Sequence, residues 1–93
     1  MYDLTIYTRD SCIYCIKLKD MLGLLIARER GLITITYIDW NCDIKERLQA
    51  QYNVEIKTLP VVIVNGEYIG GYHSFISWCS VNLFTSMMHL EEV

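Results

Sequence analysis

The 93-residue chain contains a single proline, Pro60, and no block of lysines or arginines. It also shows no internal repeat and no low-complexity run. Nothing in it therefore reads as a linker, and the length fits one domain, residues 1–93. The missing basic block, with a net charge of -3, argues against a nucleic-acid partner, because phosphates are held by clustered Lys or Arg. The longest apolar stretch, Met21 to Ala27, is too short to cross a bilayer. The opening Met1-Tyr2-Asp3-Leu4 lacks the basic-then-apolar order of a secretion signal. These absences lead us to expect a soluble cytoplasmic monomer with no membrane partner.

Hydrophobic residues make up 53% of the chain and charged ones 20%, a globular balance that supports one packed core. Four cysteines are present. In a small secreted chain they would read as disulfide staples; without a secretion signal, a catalytic or metal-binding role moves up. Structural zinc wants a second close pair of Cys or His, and Cys42, Cys79, His73 and His89 form none, so no metal is expected.

The pattern of elements is β-α-β-α-β-β-α. Leu4 to Tyr7 reads as a strand, and Thr8 to Ser11 as a loop whose Ser11 can cap a helix. Ile13 to about Arg30 is helical, with Ile16, Met21, Leu22, Leu25 and Ile26 as its apolar side and Gly31 as its stop. Leu32 to Asp39 is β-branched and aromatic, hence a strand. Cys42 then falls in a loop, and Ile44 to Gln51 is a short helix on which Lys45, Glu46 and Arg47 form a solvated face. Val61 to Val64 is a buried strand, Asn65-Gly66 a hairpin turn, and Glu67 to Ile69 its partner. Gly70-Gly71 breaks that strand, and Ser74 to about Met87 is the last helix, with Cys79 on its core face. The expected class is α/β: a four-stranded mixed sheet flanked by three helices. A Cys-x-x-Cys opening the first helix of such a unit is a signal of the thioredoxin fold.

Cys12-Ile13-Tyr14-Cys15 lies where the first strand gives way to the first helix. Residues three apart share a helix face, so the two sulfurs meet. At the helix start, unpaired N–H groups and the helix dipole favour negative charge, which lowers the Cys12 pKa and promotes the attacking thiolate. Arg9 adds positive charge, and Cys15, one turn further in, suits a resolving thiol. Pro60 cannot donate to a central ladder, so it belongs where the Val61 strand begins. A cis bond there would turn the Leu59 N–H and C=O toward the thiols, ready to pair with an extended substrate.

Tyr7 to Cys15, Thr58-Leu59-Pro60, Asn65-Gly66 and Ile69-Gly70-Gly71-Tyr72, taken together and in order, resemble the glutaredoxins, in particular the dithiol type of bacteria and bacteriophages. The resemblance implies a glutathione-dependent thiol-disulfide oxidoreductase, with disulfide-containing proteins as substrates and ribonucleotide reductase among them. It further implies that Arg9 and Lys57 attract the glycine carboxylate of glutathione. Tyr14 would line the groove, and Leu59, between Thr58 and Pro60, would pair with the cysteinyl backbone. His73 and Ser74, after Gly71-Tyr72, would receive the γ-glutamyl carboxylate at a helix start. Two positions depart from the family pattern: Ile13 stands where proline is usual, and Ser74 where aspartate is usual. Readings of other classes stay open on the residues. One is a thioredoxin-like protein recharged by a flavoprotein reductase. The others are a non-catalytic thioredoxin-fold module and a carrier of an iron-sulfur cluster held by Cys12 and glutathione.

Overall fold

The computed structural model describes residues 2–28 and 31–84. Four strands form one mixed sheet: β1 (Tyr2–Thr8), β2 (Ile33–Asp39), β3 (Val61–Val64) and β4 (Glu67–Gly70), in the order β2-β1-β3-β4. β1 runs parallel to β2, while β3 is antiparallel to both β1 and β4. Helix α1 (Ile13–Arg28) joins the parallel pair, α2 (Cys42–Tyr52) follows β2, and α3 (Tyr72–Cys79) follows β4. A five-residue π-helical segment, Ser80–Phe84, continues from α3. The expected α/β sheet with three helices is the one observed. The remainder of the last helix, expected to run to Met87, lies outside the described residues.

Alternation along the strands makes two core layers. Leu4, Ile6, Val62 and Val64 pack with Leu18, Leu22 and Leu25 of α1 and with Phe75 and Cys79 of α3. Tyr7, Val61 and Ile63 point to the other face, where they meet Ile44 and Leu48 of α2 and Ile56. The buried side of α1 is Cys15, Leu18, Leu22 and Leu25, a three-four-three spacing that makes one narrow stripe. Ile16 and Ile26, expected inside, are exposed; each lies about 100° from a stripe residue. Cys79 is fully buried as expected, and burial pushes its thiol up to about 12.

Each element end has an identifiable cause. The α1 cap is Cys12 rather than Ser11: its carbonyl accepts the Ile16 N–H (3.1 Å) and its sulfur accepts the Cys15 N–H (3.3 Å). Helix α2 begins two residues earlier than its apolar pattern suggests, because Asn41 caps it through Ile44 N–H to Oδ1 (2.9 Å). Cys42, read as a loop residue, is thus the exposed first residue of α2. Asn41→Ala should cost about 1 kcal/mol, measured by urea unfolding; a loss under a few tenths would show that the cap contributes little. The β3–β4 turn is the expected Asn-Gly pair, with φ of 51° at Asn65 and 82° at Gly66. Asn65 also ties this turn to β1, donating its N–H to the Asp3 carbonyl (2.8 Å) and accepting the Asp3 N–H on Oδ1 (2.8 Å).

Candidate functional site

Cys12 and Cys15 are both free thiols, the first half-buried and the second almost wholly buried at 1% exposure. The difference follows from the helix start: the Cys15 side chain enters the stripe that packs on the sheet, while Cys12 sits at the rim. Burial pushes the Cys15 thiol up to about 11, and its hydrogen bond with the Cys12 side chain adds to the rise. The Cys12 sulfur stands between two backbone groups. It accepts the Cys15 N–H, a contact that strengthens when the sulfur is anionic. Its S–H donates to the Leu59 carbonyl (3.6 Å).

That second contact brings in the segment before β3. The Leu59–Pro60 bond is cis, an isomer that the strand-start position of Pro60 does not by itself require, and Pro60 is buried. The Leu59 carbonyl, expected to await a substrate, is here engaged by Cys12. With both thiols reduced, that carbonyl would have to give up the Cys12 contact to pair with any other backbone.

A cleft of about 460 Å³ opens beside Cys12, lined by Arg9, Ser11, Trp40, Lys45, Ile56, Lys57, Thr58 and Leu59. Its volume falls in the range of small-molecule sites. Three of its lining residues, Arg9, Lys45 and Lys57, are cations, although the chain as a whole is acidic. Lys57 lies 3.8 Å from Glu55, both ends exposed, so water screens the pair and leaves the ammonium available to a ligand. Neither Lys45, on the solvated face of the second helix, nor Trp40 carries a site signal in the sequence. Trp40 does pack, edge-on to Tyr7 at 6.1 Å between centroids, and it also forms a cleft wall. Both residues reach the cleft because Ile44 and Leu48 seat α2 on the sheet, a tertiary fact with no local sequence signal.

The other expected groove residues form a second group, outside the lining of that cleft. Tyr14, Tyr72 and His73 form a mutually touching group with ring centroids 5.3 to 5.6 Å apart. Lys17 stands over the Tyr14 ring at 5.2 Å. Gly71, not Ser74, is the cap residue of α3, and no side chain satisfies that helix start. Ser74 lies in the first turn against Gly70. Gly71 faces the cis-proline segment, its Cβ position 3.6 Å from both the Pro60 carbonyl oxygen and Thr58 Oγ1. The expected residues thus divide into a cationic flank (Arg9, Lys57, Thr58, Leu59) and an aromatic flank (Tyr14, Tyr72, His73) around Cys12. Among the described residues, no group of three or more His, Cys, Asp or Glu stands ready to hold a metal ion.

The family model for Glutaredoxin matches residues 4–69. Glutaredoxin 1 of Escherichia coli is 34% identical over 80 residues, which cover 84% of this chain and 93% of that protein. Glutaredoxin 1 of Salmonella typhimurium is 30% identical over 80 residues, covering 84% and 91%. Among solved structures, oxidised Escherichia coli glutaredoxin superposes with a TM-score of 0.72 at 30% identity, covering 87% of this chain and 96% of that one. Glutaredoxin 1 of Francisella tularensis, complexed with cacodylate, gives 0.65 at 20% identity, covering 91% and 99%, a likeness of fold.

Proposed function

The chain belongs to the glutaredoxin family and is a thiol-disulfide oxidoreductase of the thioredoxin fold; from that premise we propose that it reduces protein disulfides and glutathione mixed disulfides, with Cys12 as nucleophile, Cys15 as resolving thiol and glutathione as electron source. One domain, residues 1–93, carries the whole activity. The observation that carries this reading is the cleft that leads from the Cys12 sulfur past Leu59 between Arg9, Lys45 and Lys57.

In the first step the Cys12 thiolate attacks one sulfur of the substrate disulfide. A Cys12–substrate disulfide forms, and the other sulfur leaves as a thiolate that takes up a proton. Two routes complete the cycle. Cys15 loses its proton and attacks Cys12, releasing the reduced substrate and leaving a Cys12–Cys15 disulfide; two glutathione molecules then reduce it and depart as their own disulfide. Alternatively, when the bound group is glutathione, a second glutathione attacks it directly and Cys15 is bypassed. In the dithiol route two glutathione thiols reduce one disulfide; in the other, one glutathione exchanges with one mixed disulfide, giving the protein thiol and glutathione disulfide.

Glutathione is an anion, which suits the cationic flank. The uncapped start of α3, next to Tyr72 and His73, offers N–H groups to its second carboxylate end, a role in which Ser74 replaces the family's acidic group. Ribonucleotide reductase is the protein substrate proposed from the likeness to the bacterial dithiol branch. The cytoplasm, where thiols stay reduced, is the matching compartment.

The direct test is turnover of a small glutathione mixed disulfide coupled to glutathione reductase and NADPH. No turnover by the folded protein would remove the glutathione reading. Lys45→Ala should raise KM about threefold with kcat unchanged, because an exposed charge contributes binding in the ground and transition states alike. The difference should shrink as salt rises. Steady-state kinetics at low and high ionic strength check it, and an unchanged KM at low salt would take Lys45 out of the site.

A further inference from the structure

Glutathione leaves part of the cleft unused. Arg9 and Lys57 suit its carboxylate and Leu59 its backbone, but Trp40 and Ile56 line the same cleft. Glutathione ends in glycine, which has no side chain to set against them. Both residues are firmly held. The Trp40 N–H donates to the Thr8 carbonyl (2.9 Å), and its ring meets Tyr7 edge-on. Ile56 is buried in the α2 layer, and its N–H donates to Gln49 Oε1 of α2 (2.9 Å). This apolar wall is therefore formed before a ligand arrives, and filling it costs little reordering.

Strand alternation decides which substrate residue meets the wall. Cys12 stands at the start of α1, the helix that covers one face of the sheet. Ile56 belongs to the layer on the other face, beside α2, and Trp40 packs against it. A substrate backbone that pairs with Leu59 continues the sheet, so its successive side chains point to alternate faces. The attacking form of Cys12 is a thiolate, which has no proton to donate and so leaves the Leu59 carbonyl free for this pairing. With the substrate cysteine aimed at Cys12, the next residue points toward the α2 layer.

We propose that Trp40 and Ile56 form a side-chain subsite that selects disulfides whose reactive cysteine is followed by an aromatic residue. The proposal rests on the glutathione orientation given above, with glycine toward Arg9 and Lys57. The partner it fits is a protein that presents such a cysteine–aromatic pair in an extended segment. An aromatic ring takes an offset or edge-on contact with Trp40 and loses more apolar surface to water there than any smaller side chain. Lys45, in the same lining, favours a ring face as well. An acidic side chain would gain only the Lys45 charge, and Lys45 is exposed, so water weakens that attraction. Burial of a ring outweighs it.

The test uses tripeptides γ-Glu-Cys-X, with X as glycine, leucine, aspartate or phenylalanine, each joined through a disulfide to nitrothiobenzoate. The Cys12 thiolate attacks the peptide sulfur, a Cys12–peptide disulfide forms, and nitrothiobenzoate leaves as its coloured thiolate. The full chain carries Cys15→Ser so that no resolving step follows. Each rate is divided by that of the same disulfide with free glutathione, which removes intrinsic reactivity. Phenylalanine should react about tenfold faster than glycine, with leucine between them. Trp40→Ala should bring the phenylalanine-to-glycine ratio to about one, and Trp40→Phe should keep most of it. The ratio is taken within each protein, so a partly unfolded variant cannot imitate its loss. Equal rates for all four peptides overturn the proposal, as does aspartate ahead of phenylalanine, or a ratio that survives Trp40→Ala. Failure of the glutathione reading looks different: the glycine peptide then reacts no faster than the mercaptoethanol disulfide of nitrothiobenzoate, and phenylalanine must still exceed glycine through Trp40 or the subsite falls too.

Discussion

Cys12→Ser should bring turnover of glutathione mixed disulfides down to the uncatalysed background, while Cys15→Ser keeps that turnover and loses reduction of protein disulfides. The contrast comes from where the two sulfurs sit. Cys12 lies half-exposed at the cleft, bonded to the Cys15 N–H and the Leu59 carbonyl. A serine there offers a hydroxyl with no neighbouring base to activate it, and no disulfide exchange can start from it. Cys15 is buried against the sheet and is not reached by a substrate; only an attack on Cys12 is open to it. With both thiols reduced its pKa is pushed up to about 11, and burial, the largest cause, persists when Cys12 is held in a mixed disulfide, so Cys15 is protonated at neutral pH. The dithiol step therefore quickens with pH, roughly tenfold per unit through the neutral range, as the thiolate fraction of Cys15 grows. The monothiol route depends instead on the glutathione thiolate, so its rate should level off near an ordinary thiol pKa of about 8.5 while the dithiol step keeps rising. Stopped-flow resolution of a Cys12 mixed disulfide, in wild type and Cys15→Ser across pH 6 to 9, on the order of three decades in thiolate fraction, separates the two. Appreciable turnover by Cys12→Ser, or a pH-independent resolution in wild type, would sink the assignment of roles.

The parts of this site that are legible in the sequence are those whose chemistry is local. Cys12 and Cys15 announce themselves by spacing at a strand-to-helix junction. Pro60 does so because a proline has one acceptable place beside a central strand, and Asn65-Gly66 because both residues tolerate positive φ. What the sequence conceals is set by packing between elements distant along the chain. Lys45 looks like any exposed helix lysine until Ile44 and Leu48 dock α2 on Tyr7, Val61 and Ile63 and turn its first turn toward Cys12. Trp40 gains its cleft position from the same docking. The covered face of α1 is only partly legible for a related reason: Leu22 and Leu25 are buried as expected, but Ile16 and Ile26 are as hydrophobic as Leu18, and only the sheet decides which stripe is covered. The sulfur cap at Cys12 is masked in the sequence by Ser11, a better cap by residue type one position earlier.

Gly70→Ala should destabilise the protein by about 3 kcal/mol, from a strained backbone and an overlap that act together. Gly70 closes β4, pairs with Val62 and has φ of 128°, a conformation that side-chain-bearing residues rarely adopt. A Cβ added there would lie 2.9 Å from both the Cβ and the Oγ of Ser74 in the first turn of α3. The Ser74 Cβ is fixed to the helix backbone, so relief requires α3 to shift, and α3 carries both Tyr72 and His73 of the aromatic flank and the buried Phe75. A glycine is thus required because the last strand and the last helix approach closely, and it reads in the sequence as no more than a strand breaker. A double-mutant cycle with Ser74→Gly divides the cost. Removing the Ser74 side chain relieves the overlap and leaves the backbone strain, so the double variant should recover part of the loss and no more. Urea unfolding of the four proteins measures this. A Gly70→Ala loss under about 0.5 kcal/mol, the level of an ordinary surface substitution, would mean that β4 and α3 can separate freely, and full recovery by Ser74→Gly would mean that the φ at Gly70 carries no cost.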